Sequence, residues 1–346
     1  MISHHGSKNV IIRGTGKALP RNCSTTDDVW AWHGKKDPAW LNDRFGIDTR
    51  YTRFDYRTGK LDDQDEDDLS HEAAIAALTD AGLHIEEVQA IIQTSITPNH
   101  AGLPDPACVL HRRLGASSNT LALMVISACA GTLNGLMLAS ALVRSGQAKN
   151  VLVCASSTYS SFNRPELIDR NWMHSVIFGD AAAAVVVSAS DDERGFSSFH
   201  MGADNHNDIG VKKFGGSKHP VSRANIDEAL LDFHDLDLRK VPQNLHNKFT
   251  AIYERVLEQE GVRAEDLDWV LFNMSNGPAQ RGWLRTMGIP ESKSYFNIER
   301  YGNCIAASLG LVLDDFTHSG RPRPGDLGIV MSIGSGLQFG GALYRF

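Results

Sequence analysis

The chain of 346 residues predicts an α/β fold built from two similar halves. Three observations carry this. Short apolar runs rich in Val and Ile alternate with helix-like runs. The same rhythm returns in the second half of the chain. Glycines repeatedly stand where a helical pattern stops. Strands separated by helices imply a mainly parallel sheet covered on both faces.

Residues 9–16 predict a strand that runs into glycines. The stretch 55–68 is very acidic and predicts a solvated loop and helix start. Residues 69–82 carry Ala and Leu at helical spacing and stop at Gly82. A strand follows at 88–95. Residues 121–126 are continuously apolar, which predicts a buried strand. A helix over 131–145 closes on Gly146, and 151–155 and 181–187 predict two further buried strands. In the second half, 244–261 predicts a helix, 269–272 a buried strand and 304–316 a helix. Strands at 327–333 and 341–346 complete the pattern.

Helix, glycine stop, acidic turn and buried strand occur in that order twice, through Gly82, Glu86 and Glu87 and through Gly261, Glu265 and Asp266. This suggests a duplication with its seam near 188–195, dividing the chain into 1–188 and 189–346. Residues 205–241 are polar and weakly periodic. They predict a long surface excursion, either a lid or substrate lining or a solvated insertion.

Composition narrows the function. A hydrophobic fraction of 42% supports a large core. With 34 basic and 41 acidic residues the net charge is −7, which argues against nucleic-acid binding as the main task. No apolar run approaches the about 18 residues of a membrane span, and the first residues lack the apolar core of a signal peptide. The five cysteines show no CxxC pair. A reduced, cytoplasmic protein without a disulfide framework or metal site is expected.

Three segments carry candidate chemistry. Ser127-Ala128-Cys129-Ala130-Gly131-Thr132 follows a strand and opens a helix. A thiol there meets the positive end of the helix dipole, which favours thiolate and lowers its pKa. Small neighbours leave room for a substrate carbonyl, and the Cys129 amide can face a developing oxyanion. The competing reading is an inert core cysteine. In Gly302-Asn303-Cys304, Asn303 is a candidate functional amide or an ordinary helix cap, and Cys304 predicts a small core residue. Gly334-Ser335-Gly336 lets backbone approach a ligand, or forms a tight turn.

Together these segments resemble the thiolase superfamily, and within it β-ketoacyl-acyl-carrier-protein synthase III. Phe178-Gly179-Asp180 followed by alanines, Ala306-Ala307-Ser308 after Asn303, and Arg323-Pro324-Gly325-Asp326 extend the resemblance over essentially the whole chain. The resemblance implies a thiolase-like five-layered α-β-α-β-α sandwich of two duplicated halves, normally a homodimer. Cys129 matches the family nucleophile and Asn303 its catalytic asparagine. The amides of Cys129 and Ser335 would form the oxyanion hole. Trp40 matches the tryptophan that stacks on the adenine of coenzyme A, and Arg44 a nearby phosphate-binding arginine. Arg170 lies close to another, with a longer spacing to Phe178 than the family pattern.

One departure stands out. Where the family has His-Gln-Ala-Asn at a strand end, this chain has Asn273-Met274-Ser275-Asn276. Asn276 is kept among the substrate-binding candidates, and Asn273 replaces the histidine. An amide donates a hydrogen bond but carries no proton near neutral pH. His174 and His206 are the candidates for a substitute base, with packing or solvent exposure as the alternative. The expected activity is acyl transfer: Cys129 loads an acyl group from a coenzyme A or carrier-protein thioester, and Asn303 and Asn273 position an acceptor. No cofactor is expected, the coenzyme A or phosphopantetheine thioester being substrate. Two alternatives are decarboxylative condensation with a malonyl thioester and a silent subunit paired with an active paralogue. A docked acidic carrier protein would need a basic patch, expected around Arg112, Arg113, Arg281 and Arg285.

Overall fold

A computed structural model of the protein describes residues 9–35, 43–100, 103–162, 165–167, 172–204, 214–230 and 241–346. In chain order the strands are β1 (Asn9–Ala18), β2 (Asn22–Thr25), β3 (Thr49–Thr52), β4 (Phe54–Asp55), β5 (Lys60–Leu61), β6 (Ala90–Ser95) and β7 (Leu121–Ile126). They continue with β8 (Asn150–Ser157), β9 (Ala181–Ser190), β10 (Gly195–Phe196), β11 (His200–Ala203), β12 (Trp269–Phe272), β13 (Leu327–Gly334) and β14 (Gln338–Arg345). The helices that build the layers are α1 (Glu66–Ala81), α2 (Pro106–Leu114), α3 (Gly131–Arg144), α4 (Trp172–Ile177), α5 (Val241–Glu260), α6 (Gly277–Thr286) and α7 (Ser308–His318).

The first large sheet has the order β1-β9-β8-β6-β7. Only β6 with β7 and β6 with β8 run parallel; β9 is antiparallel to both β8 and β1. The expected mainly parallel sheet is therefore mixed. A parallel return needs a crossover along the sheet, and β9 instead turns back beside β8. The second sheet has the order β10-β14-β13-β12, with β11 also beside β14. Its β12–β13 pair is parallel and its β13–β14 pair antiparallel, repeating the directions of β6, β8 and β9. The first sheet extends to Ser190 through β9, two residues past the expected boundary at 188.

Helices separate and cover the two sheets. Helix α1 packs on β1, β9 and β8 from outside, and its Ala73, Ala74, Ala77 and Ala81 are buried. Small side chains let that helix approach the strands closely. Helix α3 lies on β6 and β8 and also meets β13, while α7 touches β1, β9, β12 and α3. These two helices form the central layer. Helix α5 covers β13 and β14 on the far side. The result is the five-layered α-β-α-β-α sandwich.

Strand β7 corrects a second expectation. It is the edge of the first sheet, and Leu121, Leu123 and Ile126 are exposed, Ile126 to 77%. Continuous apolarity marks a strand covered on both faces, whereas β7, although α2 and α3 pack on it, keeps these three side chains exposed. No helix among the described residues is long and apolar enough to cross a membrane.

Candidate active site

The start of α3 and the segment leading into α7 meet at the centre of the molecule. Gly131 permits this contact, because a Cβ there would lie 2.8 Å from the Ala306 Cβ and 2.8 Å from Thr94 Oγ1. Thr132 Oγ1 donates to the Ala306 carbonyl at 2.7 Å, fixing the two segments together. Cys129 sits just before α3, and Asn303 just before the turn that opens α7. The topology thus brings both candidates to one place, from opposite halves.

The orientation of Asn303 is set by its surroundings. Its Oδ1 accepts from the Ile305 amide at 2.9 Å and from Ser308 Oγ at 3.1 Å. Its main chain is held on both sides: its N–H donates to the Ile177 carbonyl at 2.8 Å, and its carbonyl accepts from Gly179 at 3.1 Å. With the amide oxygen occupied, the amide nitrogen is the end left for the thiol. The Asn303 side chain indeed hydrogen-bonds Cys129.

The Cys129 thiol does not behave as the helix dipole alone suggests. Burial pushes its pKa up to about 11, against the pull of its own backbone N–H and of Asn303. Desolvation disfavours the thiolate more than these two hydrogen bonds favour it. The expected lowering of the pKa is therefore reversed. The thiol, half-buried in the chain, is therefore mostly protonated near neutral pH.

Asn273 is used differently. Its Oδ1 accepts from the Ile333 amide at 3.0 Å and lies 3.1 Å from Ser332 Oγ, while its Nδ2 points at the Ile333 carbonyl at 3.4 Å. Gln280 Nε2 donates to its main-chain carbonyl at 2.7 Å. Both ends of the side-chain amide thus face β13. Ser332 Oγ is also 2.9 Å from the Cys129 carbonyl. One hydroxyl proton serves one acceptor at a time, so Ser332 sits between the Asn273 amide and the backbone of the Cys129 loop.

The glycine-rich hairpin between β13 and β14 closes the site. A Cβ on Gly334 would fall 2.7 Å from the Ala130 amide nitrogen and 3.2 Å from that of Cys129. Backbone therefore lies directly on backbone there, and Ser335 follows. Asn276 caps α6, its Oδ1 accepting from Ala279 at 2.9 Å, and its Nδ2 donates to the Arg44 carbonyl at 3.1 Å. Arg44 itself is exposed, its guanidinium 5.8 Å from the Phe45 ring. Trp40, Arg170 and His206 lie outside the described residues.

His174 is buried on α4, hydrogen-bonded through Nδ1 to the Tyr159 hydroxyl at 3.0 Å and edge-on to Phe178. That is the packing alternative rather than solvent exposure. Cys304 is buried, with its thiol on the Tyr301 carbonyl and its pKa raised by burial. Three of the four arginines expected in a basic patch have acidic partners. Arg281 pairs with Glu291 and Glu299, Arg285 with Glu291, and Arg113 with Asp68. The sequence assigns no role to Ser332 or to the polar knot of Ser127, Asn134 and Gln338, although Ser127 lies in the Cys129 segment and Gln338 in the glycine-rich one. Only proximity to Cys129 and Ser335 in the chain could have flagged the last three.

Comparison with known proteins agrees with this architecture. The family described as 3-Oxoacyl-[acyl-carrier-protein (ACP)] synthase III matches residues 125–205, and its C-terminal counterpart matches residues 257–346. Beta-ketoacyl-[acyl-carrier-protein] synthase III of Xanthomonas oryzae pv. oryzae is 32% identical over 342 residues, covering 97% of this chain and 98% of its own. The enzyme of that name from Geobacillus kaustophilus is 30% identical, covering 97% and 98%. The crystal structure of 3-oxoacyl-(acyl carrier protein) synthase III from Pseudomonas aeruginosa PAO1 superposes with a TM-score of 0.85 at 27% identity, covering 98% of each chain. The chain therefore belongs to the β-ketoacyl-acyl-carrier-protein synthase III family of enzymes, within the thiolase superfamily.

Proposed function

We propose that this enzyme is an acyltransferase in which Cys129 loads an acyl group from a coenzyme A or carrier-protein thioester and passes it to an acceptor that needs no decarboxylation. The carrying observation is Asn273. It occupies the position where the resemblance expects a histidine, and both ends of its amide face β13. An amide in that state contributes neither a proton shuttle nor positive charge.

In the loading step, sulfur of Cys129 attacks the thioester carbonyl. The amides of Cys129 and Ser335 hold the developing oxyanion. The C–S bond to the donor breaks, and the thiol proton leaves with the donor thiolate. In the transfer step the acceptor, positioned by Asn303, attacks the acyl carbonyl, the C–S bond to Cys129 breaks, and the acceptor's proton returns to the Cys129 sulfur. Trp40, Arg44 and Arg170 are proposed at the donor entrance. Specialised-metabolite or unusual fatty-acyl synthesis fits such a reaction better than primary chain initiation.

The exposed edge β7 supports a homodimer, since an apolar edge strand invites pairing with a second copy. The chain is proposed to act in the cytoplasm, without a cofactor or metal. Intact-protein mass spectrometry with a panel of acyl-coenzyme A donors tests the reading, with Cys129→Ala as control. An acyl adduct that vanishes in the control is expected; no Cys129-dependent adduct with any donor overturns it. The names of the relatives favour a second reading, decarboxylative condensation with a malonyl thioester. Release of labelled carbon dioxide from that substrate distinguishes the two.

A further inference from the structure

The two amides of the proposed oxyanion hole come from different halves, Cys129 from the loop before α3 and Ser335 from the β13–β14 hairpin. Their separation must be held to a fraction of an ångström for the hole to work. Beside them lies a closed ring of side-chain hydrogen bonds that the reaction chemistry does not use. Asn134 Nδ2 donates to Ser127 Oγ at 2.7 Å and to Gln338 Oε1 at 2.6 Å. Ser127 Oγ is 3.2 Å from the same Gln338 oxygen and donates to it. Donors and acceptors match around the ring: two amide hydrogens and one hydroxyl hydrogen meet one hydroxyl and one carbonyl oxygen.

The placement of the ring gives it a task. Ser127 is two residues before Cys129, Asn134 is on the first turn of α3, and Gln338 is the first residue of β14. Gln338 pairs directly across the hairpin with Gly334, which rests on the Ala130 and Cys129 amides. The opposite side of the hairpin is clasped too. Leu337 and Asp204 exchange both main-chain hydrogen bonds, at 2.8 and 2.9 Å, and the Asp204 carboxylate pairs with Lys248 at 2.6 Å. The hairpin is thus anchored to the second half by its own main chain, and to the nucleophile loop by this ring.

We propose that Asn134 and Gln338 are positioning residues that set the register between the Cys129 and Ser335 amides, and so the rate at which Cys129 is acylated. This rests on the acyl-transfer reading above. The test compares two reactions of one thiol. Acetylation by p-nitrophenyl acetate forms the S–acetyl bond, breaks the ester C–O bond and releases p-nitrophenolate and a proton, so it passes through an oxyanion. Alkylation by iodoacetamide displaces iodide and forms no oxyanion.

For Gln338→Leu and Asn134→Leu we expect acetylation of Cys129 to slow by ~10-fold, with alkylation close to wild type. Gln338→Glu keeps the acceptor oxygen for Asn134 and should restore most of the acetylation rate. Unchanged acetylation in both leucine variants overturns the positioning role. Equal slowing of both reactions also overturns it, since the ring would then support only the fold. A wild-type Cys129 that is alkylated but never acetylated overturns instead the oxyanion hole on which this proposal stands.

Discussion

Asn303 and Asn273 show how one residue type serves two ends. In Asn303 the amide oxygen is taken by Ile305 and Ser308, so the amide nitrogen faces Cys129. In Asn273 the oxygen is taken by Ile333, beside Ser332, and the nitrogen also points back to Ile333. The segment before α7 directs its amide into the site, whereas the end of β12 binds its amide to the neighbouring strand. An asparagine is only as functional as its neighbours leave it.

The contrast can be broken by substitution. Asn303→Ala should lower transfer to the acceptor by ~10²-fold, the loss that misplacing a reacting group by about an ångström can bring. Steady-state turnover with the best donor from the coenzyme A panel measures it, and an unaffected rate would mean that Asn303 is merely a cap. Asn273→His should raise carbon dioxide release from malonyl thioester by ~10²-fold, the lower range for general acid–base help. No increase would show that the lost histidine is not what limits decarboxylation here.

The raised pKa of Cys129 gives a smaller effect with a definite sign. A thiol pushed up to about 11 is mostly protonated at neutral pH. Its alkylation by iodoacetamide should therefore climb about tenfold per pH unit from pH 7 to 9 without levelling. A plateau below pH 8 would return the thiol to the low-pKa class. The smallest effect on rate is expected for Asn273→Ala. It should cost about 1–3 kcal/mol of stability through unsatisfied partners on β13, measured by denaturant unfolding, while acylation of Cys129 stays within the wild-type order of magnitude. A loss of turnover matching that of Asn303→Ala would erase the distinction between the two residues.

The layered fold was legible because its signals are local. Helices ended at glycines, and buried strands were short and apolar. Cys129 and Asn303 stood out for the same reason, each at a junction that opens a helix. The misread features are those decided by distant parts of the chain. Continuous apolarity in β7 describes the side chains but not whether this molecule or another covers them. The dipole argument for Cys129 omitted the burial created by segments from the second half. Ser332 and Asn273 meet across 59 residues, and Asn134 and Gln338 across 204. Neither spacing leaves a mark in the sequence.

The contact of Gly334 with the Cys129–Ala130 backbone has a consequence for the order of events in the cell. The cysteine leaves the ribosome long before the hairpin that closes over it. Until β13 and β14 are made, the thiol lacks its enclosure, and the Ser335 amide does not yet exist. A chain interrupted before that point keeps Cys129 but lacks the Gly334 contact, so the two loops of the candidate site come together only at the end of synthesis.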